Sequence, residues 1–267
     1  MTETRNLTKE NRKLVKNSLG FDSNLYVYQD KSMFNYSVDT IMLGNFISLN
    51  KKTTRALEVG ANNGALSIFV ASRYEKLKID AIEIQAKAAK LAIENVKLNQ
   101  MDNQITIINS DFNDYWKQFI KTNNKKYQII FCNPPFYPFD KTKVKKDISM
   151  EKLIATHEIH LNLDQLIQGC SKIIEQKGFL SLVLPVERMV DCFEIFRKYN
   201  FEPKRVQLIY PRTFSKPKFM LVEARYQSGW GTCFLPNIYL HNDNDLNNHD
   251  YLNEVKQLYK PIKVIKE

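Results

Sequence analysis

The sequence predicts an α/β fold built on a mostly parallel sheet covered on both faces, and three observations carry that prediction. Short apolar runs alternate with amphipathic stretches at intervals of roughly 20–25 residues, the rhythm of successive strand–helix units. Those runs are continuously apolar rather than alternating, as strands buried on both sides must be. The 267 residues, with 43% hydrophobic and 12% aromatic side chains, suffice to bury one large core.

Taken in order, residues 1–50 read as a helix over about Lys9–Ser18, an extended aromatic segment, and a helix that begins near Asp39. The Asp39 carboxylate suits the N-cap of that helix. Strands are expected at Arg55–Val59, Ile79–Glu83, Ile105–Ile108, Tyr127–Phe131 and Phe179–Leu184. Helices are expected at Gly64–Arg73, Ala86–Asn99, Asp114–Lys121 and Asp164–Glu175, with another at Glu187–Tyr199. Two long β-rich runs follow, Phe201–Tyr210 and Phe219–Tyr226. The connection Pro211–Lys218 is too short for a crossover helix, so these two should pair antiparallel. His241–Asp250 is polar and reads as a loop. The expected organisation is an N-terminal extension (1–50), a central domain (51–240) and a C-terminal tail (241–267).

Composition removes several classes. No run reaches the roughly 18 apolar residues of a membrane-spanning helix. The N-terminus lacks the apolar stretch of a secretory signal, so a cytoplasmic location is expected. Four cysteines stand without a C-x-x-C pair, which argues for reduced, buried thiols and no metal. The net charge of +10 is clustered: residues 1–20 carry +3 and residues 197–225 carry +6. Clustering of that kind suits a phosphate backbone, so a polyanionic partner is expected. A monomer is the default.

The first strand runs into Leu57-Glu58-Val59-Gly60-Ala61-Asn62-Asn63-Gly64, with a helical pattern directly behind it. Gly60 and Gly64 permit backbone torsions and close approaches that side chains forbid. Such a turn presents backbone N–H groups to a nucleoside cofactor lying across the strand ends. Asn62 stands where a dinucleotide fingerprint has its middle glycine, so a pyrophosphate fits poorly. The next strand ends at Glu83, about 20 residues on, where a carboxylate can hold both ribose hydroxyls. The third is followed by Asp111-Phe112, an acceptor for an exocyclic amine beside a ring that can cover adenine.

The fourth strand leads into Asn133-Pro134-Pro135-Phe136. An amine conjugated to an aromatic ring is a poor nucleophile, because the ring shares its lone pair. The Asn133 side-chain oxygen and the Pro134 carbonyl can accept its two N–H groups and turn the lone pair toward an electrophilic methyl. The prolines fix φ and leave no competing N–H. Phe136 can stack on the flat substrate.

Together, Glu58–Gly64, Glu83, Asp111 and Asn133–Phe136 resemble a class I S-adenosylmethionine-dependent methyltransferase of the amino-methylating branch. The resemblance implies a Rossmann-like, seven-stranded, mostly parallel sheet with an antiparallel terminal hairpin. Phe34–Gly44, His157-Glu158 after the Lys141–Lys146 run, and Lys216–Glu223 resemble the bacterial tRNA1(Val) adenine-37 N6-methyltransferase family over residues 8–240. That likeness implies tRNA as partner, Asp39 near the cofactor and target pocket, Glu83 on ribose, Asp111 on adenine, and Lys218 on the tRNA surface or pocket rim. Basic residues between Arg197 and Arg225, the N-terminal basic helix and Lys141–Lys146 would hold phosphates. Asn-Pro-Pro-Phe is shared with rRNA guanine-N2, DNA adenine and protein glutamine-N5 methyltransferases, so the acceptor stays open on this motif alone. A cofactor-binding RNA protein without turnover is the non-enzymatic alternative.

Overall fold

The computed structural model describes residues 14–20, 23–135 and 150–264. An antiparallel hairpin comes first, β1 (Leu14–Ser18) on β2 (Tyr26–Asp30), followed by α1 (Val38–Phe46). The repeating part then runs β3 (Arg55–Val59), α2 (Ala65–Arg73), β4 (Lys78–Glu83), α3 (Ala86–Leu98), β5 (Ile105–Asn109), α4 (Phe112–Phe119) and β6 (Tyr127–Cys132). It continues through α5 (Met150–Thr156), α6 (Leu163–Ile173), β7 (Ile174–Pro185), α7 (Met189–Lys198), β8 (Phe201–Tyr210) and β9 (Phe219–Tyr226). Two short strands, β10 (Cys233–Phe234) and β11 (Ile238–Tyr239), and the helix α8 (Asn253–Leu258) close it.

Seven strands form the sheet in the order β5-β4-β3-β6-β7-β9-β8, and β10 and β11 add two short parallel pairings to the β8 edge. Only β9 runs against its neighbours, pairing antiparallel with β7 and β8 as the short Pro211–Lys218 connection requires. The strand order reverses between β3 and β6, which opens a crevice at the carboxyl ends of the strands. The register aligns Val59 with Ile82 and Cys132, and Glu83 with Asn109, so all four strand ends share one edge.

Helices cover both faces. One buried cluster joins α1 and α2 to the sheet; the other joins α4, α6 and α7 through residues such as Leu166, Ile167 and Phe196. Helices α4 and α6 touch at Gly169, where an added Cβ would lie 2.6 Å from Phe112 Cε1 and 2.6 Å from Trp116 Cδ1. We expect Gly169→Ala to lower stability by about 1–2 kcal/mol, because overpacking against two rings outweighs alanine's better helix propensity. A urea midpoint unchanged or raised by the substitution would contradict this packing.

Two expectations from sequence fail here. Leu14–Ser18 is a strand, not the end of a helix; the rest of that expected helix lies outside the described residues. Val15, Asn17 and Ser18 are poor helix formers, and pairing with Tyr26–Asp30 decides the outcome. The hairpin is in turn held on α3 by two asparagines one helical turn apart. Asn95 accepts from Tyr28 N (2.7 Å) and donates to Tyr28 O (3.0 Å), and Asn99 does the same with Tyr26 (3.0 and 2.7 Å). The second failure is Asp39 as N-cap: Ser37 occupies the N-cap position of α1 without a side-chain capping bond, and Asp39 lies buried in the first turn.

Residues beyond His241 fold back onto the domain. Val264 N donates to Arg73 O, Arg73 Nε donates to Ile262 O, and Asn45 Nδ2 donates to Leu258 O. Among the described residues no helix is long and apolar enough to cross a membrane, and no group of three or more His, Cys, Asp or Glu residues could hold a metal.

Candidate active site

A cavity of about 930 Å³, open solvent at its mouth included, lies at the carboxyl ends of β3, β4, β5 and β6. Its wall includes Glu58, Gly60, Asn62, Glu83, Asp111, Phe112, Asn133 and Pro135, contributed by four different strand ends. Buried parallel strands whose ends are in register bring these residues together, although more than seventy positions separate the first from the last.

Three residues of the turn after β3 are left-handed, Gly60, Asn62 and Gly64. Gly60 has φ +75° and Asn62 has φ +48°. Asparagine tolerates that region better than most side chains, and here it is tied on two sides. Asn62 N donates to Glu83 Oε2 at 2.8 Å, and Asn62 Nδ2 donates to Phe34 O at 2.8 Å. Asn62 therefore serves where a glycine was expected. A Cβ on Gly60 would meet nothing within 4 Å, so the backbone there borders open cavity. Gly64 lies outside the cavity wall and is the N-cap of α2, with φ +80°; a Cβ there would sit 3.3 Å from Ala92 Cβ.

Glu83 accepts from Asn62 N and, through Oε1, from Gln85 N at 2.8 Å. Burial pushes its carboxyl up from the ordinary range, against the pull of these amides. Glu58 is deeper still. Its Oε2 accepts from the Ser67 hydroxyl, and burial pushes its carboxyl up to about 8, opposed by Ser67 and reinforced by Glu83. At neutral pH Glu58 is thus mostly a neutral tie beneath the turn.

A pH prediction follows. Glu58 titrates near 4.5 when unfolded and near 8 when folded, so the fold favours its protonated form. The resulting stability is complete below about 4.5 and lost as pH climbs to about 8. Its slope is at most about 1.4 kcal/mol per pH unit. Urea midpoints measured from pH 5 to 8 should fall more steeply for the native chain than for Glu58→Gln. Parallel curves would refute the assignment.

Asp111 is the N-cap of α4, accepting from Asn113 N at 2.6 Å, so the helix starts two residues before the expected Asp114. Phe112 is buried between the cavity and α6. Asn133 Nδ2 donates to Asp39 Oδ2 at 3.3 Å and lies 3.4 Å from Thr40 Oγ1. A carboxylate only accepts, so Asp39 fixes which end of the Asn133 amide faces α1. The Asn133 carbonyl oxygen is left as the acceptor. Asp39 itself is held by Thr40 N at 2.8 Å and by the Ser37 hydroxyl; it is absent from the cavity wall and reaches the site through Asn133. Pro134 is buried and Pro135 lines the cavity, while Phe136 and Lys141–Lys146 lie outside the described residues. Cys132 is fully buried, and burial raises its thiol well above the usual range, which suits a core residue.

Other wall residues were not singled out from sequence for this cavity. Phe34 and Tyr36 arrive from the segment before α1, and His160 and Leu161 from the turn before α6. Phe34 and Tyr36 belong to the segment Phe34–Gly44 that carries the family likeness, whereas His160 and Leu161 have only the polar and apolar content of a connection, which fixes no position in space.

The basic stretch 197–225 is not one continuous face. Arg197 pairs with Glu202 (3.1 Å), Lys198 with Asp164 (2.6 Å) and Arg205 with the fully buried Glu223 (3.1 Å). Arg225 Nε donates to Lys177 O, and Lys204 Nζ donates to carbonyls of the 229–231 turn. Most of these cations brace the fold, because strand-edge carboxylates and carbonyls lie within their reach.

Comparison with known proteins adds a family and a fold. The family model described as methyltransferase small domain matches residues 38–186. A protein of Cytophaga hutchinsonii named tRNA1(Val) (adenine(37)-N6)-methyltransferase is 27% identical over 195 residues, 73% of this chain and 78% of that one. One of the same name from Christiangramia forsetii is 24% identical over 230 residues, 86% of this chain and 91% of that one. Among solved structures, a predicted O-methyltransferase from Agrobacterium tumefaciens superposes with TM-score 0.64 at 19% identity, covering 85% of this chain and 98% of that one. The tRNA m1G37 methyltransferase of M. jannaschii gives TM-score 0.55 at 17% identity, covering 82% of this chain and 56% of that one.

Proposed function

Because this chain belongs to the methyltransferase small domain family, we propose that it uses S-adenosylmethionine to methylate N6 of an adenine in tRNA, at position 37 beside the anticodon of a valine tRNA. The observation that carries the reading is the orientation of Asn133, whose amide nitrogen faces Asp39 and whose oxygen is left to accept. The names of the relatives point to the same acceptor.

The cavity fits the cofactor. Gly60 leaves bare backbone where a side chain would intrude. Glu83 offers buried carboxylate oxygens to two ribose hydroxyls, and Asp111 and Phe112 offer an acceptor and a ring to adenine. When bound, S-adenosylmethionine supplies a methyl group on a positively charged sulfur. The chain's part is to hold and reshape the acceptor. Asn133 Oδ1 and the Pro134 carbonyl accept the two N–H groups of the target amine and draw its nitrogen toward sp³ character. Positioning of that kind can supply most of the barrier reduction without a nucleophilic side chain. Phe136 would stack on the target base, which must be unpaired or flipped to reach the cavity.

The test is incubation with radiolabelled S-adenosylmethionine and total unmodified RNA, followed by digestion and chromatography of nucleosides. Label in N6-methyladenosine of the tRNA fraction supports the reading. Label in N2-methylguanosine, or in protein alone, overturns the acceptor.

A further inference from the structure

The loop between β8 and β9 joins the catalytic edge of the sheet. β8 runs parallel to β7, β6 and β3, so its carboxyl end, at Tyr210, lies on the same edge as Asn133. Val186 N, just past the end of β7, donates to Lys218 O, which fixes the loop against the neighbouring strand end. Two to three strand spacings, about 10–14 Å, separate this loop from the end of β6. That is a span of a few stacked bases at about 3.4 Å each.

The loop is braced. The buried Arg212 sends NH2 to Leu246 O (3.2 Å) and Asn248 O (2.8 Å). Thr213 N donates to Asp243 Oδ1 at 3.2 Å, and the Thr213 hydroxyl donates to the same carboxylate. Ser215 N donates to Arg212 O and Lys218 N to Ile209 O. Despite this bracing, Phe214 at the loop's tip is 65% exposed. The loop thus holds a phenyl ring in water on a fixed backbone. Lys216 and Lys218 stand exposed beside it, and Pro211–Lys218 contains no acid. These are the cations of the basic stretch that the fold leaves at the catalytic edge. Trp230 is more exposed still, but it follows β9 and so lies at the opposite edge.

An exposed ring flanked by lysines is the combination that holds a single-stranded base and its phosphates. We infer that Phe214 is a positioning residue that stacks on an unpaired base near the target adenine, with Lys216 and Lys218 on the adjoining phosphates. This inference rests on the tRNA reading above. It assigns a base-stacking platform to a residue that no motif marks.

The test uses the full chain with an unmodified tRNA1(Val) transcript and compares Phe214→Ala, Phe214→Leu and Phe214→Trp with the native protein. Stacking predicts that Phe214→Ala raises KM for tRNA about tenfold while kcat and the thermal midpoint hold. It further predicts that Phe214→Leu remains impaired and that Phe214→Trp restores KM. The slope of log K against log salt should not change in Phe214→Ala, whereas Lys216→Ala should reduce it by nearly one. An unchanged KM in Phe214→Ala, or full rescue by leucine, overturns the stacking role while leaving the tRNA reading intact. A native chain that leaves the transcript unlabelled overturns the tRNA reading, and the stacking role with it.

Discussion

Asn133→Ala should lower the rate of methyl transfer by about 10²–10³-fold, the scale seen when one oriented hydrogen-bonding group is taken from a reacting centre. The substitution removes the acceptor proposed for the target amine. It leaves the rest of the pocket in place, because Asp39 keeps Thr40 N and the Ser37 hydroxyl as donors. Affinity for S-adenosylmethionine should change less than about threefold, and RNA binding should persist, since neither rests mainly on this amide. Single-turnover rates and equilibrium cofactor titration separate these effects. Asn133→Asp is a sharper variant: its second oxygen would face the Asp39 carboxylate at the present 3.3 Å contact, a repulsion where a hydrogen bond now stands. Native turnover in Asn133→Ala would remove the mechanism, and with it the reason for preferring an enzyme over a cofactor-binding RNA protein.

Glu83→Ala should weaken binding of S-adenosylmethionine by about 10²-fold or more. Hydrogen bonds to a charged group contribute about 1.5–3 kcal/mol each, and two ribose hydroxyls are proposed to use this carboxylate. A second loss adds to the first, because Asn62 N and Gln85 N donate to the same group. Without it, the left-handed Asn62 loses one of its two ties and the turn over the cofactor loosens. The affinity should therefore fall further than in Asp111→Ala, whose carboxylate also caps α4 but supports no strained turn. Isothermal titration of the three proteins gives the order, and equal losses would show that the turn contributes nothing.

The central strands were legible because a strand buried on both faces is mainly apolar, and β8 and β9 because they are long β-rich runs joined by a short connection. β3, β8 and β9 span the residues expected from sequence, and β4, β5 and β6 each gain one residue at an end. The short Pro211–Lys218 connection likewise decided the antiparallel pairing. Local sequence failed where distant partners choose the structure. Leu14–Ser18 is a strand because Tyr26–Asp30 pairs with it, and Asn95 and Asn99 hold that partner strand in place. β10 and β11 are two-residue pairings with β8 that no periodicity could reveal. At the site, Glu58, Glu83, Asp111 and Asn133 were readable because each lies at or just past the carboxyl end of a strand. Asp39 was misread as a cap, since its contact with Asn133 spans 94 positions. The charge cluster at 197–225 was real in sequence, but carboxylates brought close by folding occupy much of it.

The central claim is that this cavity methylates adenine N6 at position 37 of a valine tRNA. Its most direct test is labelling of an unmodified tRNA1(Val) transcript and of the same transcript with adenine 37 replaced by guanine. The account predicts close to one methyl group per native transcript, recovered as N6-methyladenosine, and none in the substituted transcript. Equal labelling of both, or label in any other nucleoside, would contradict it.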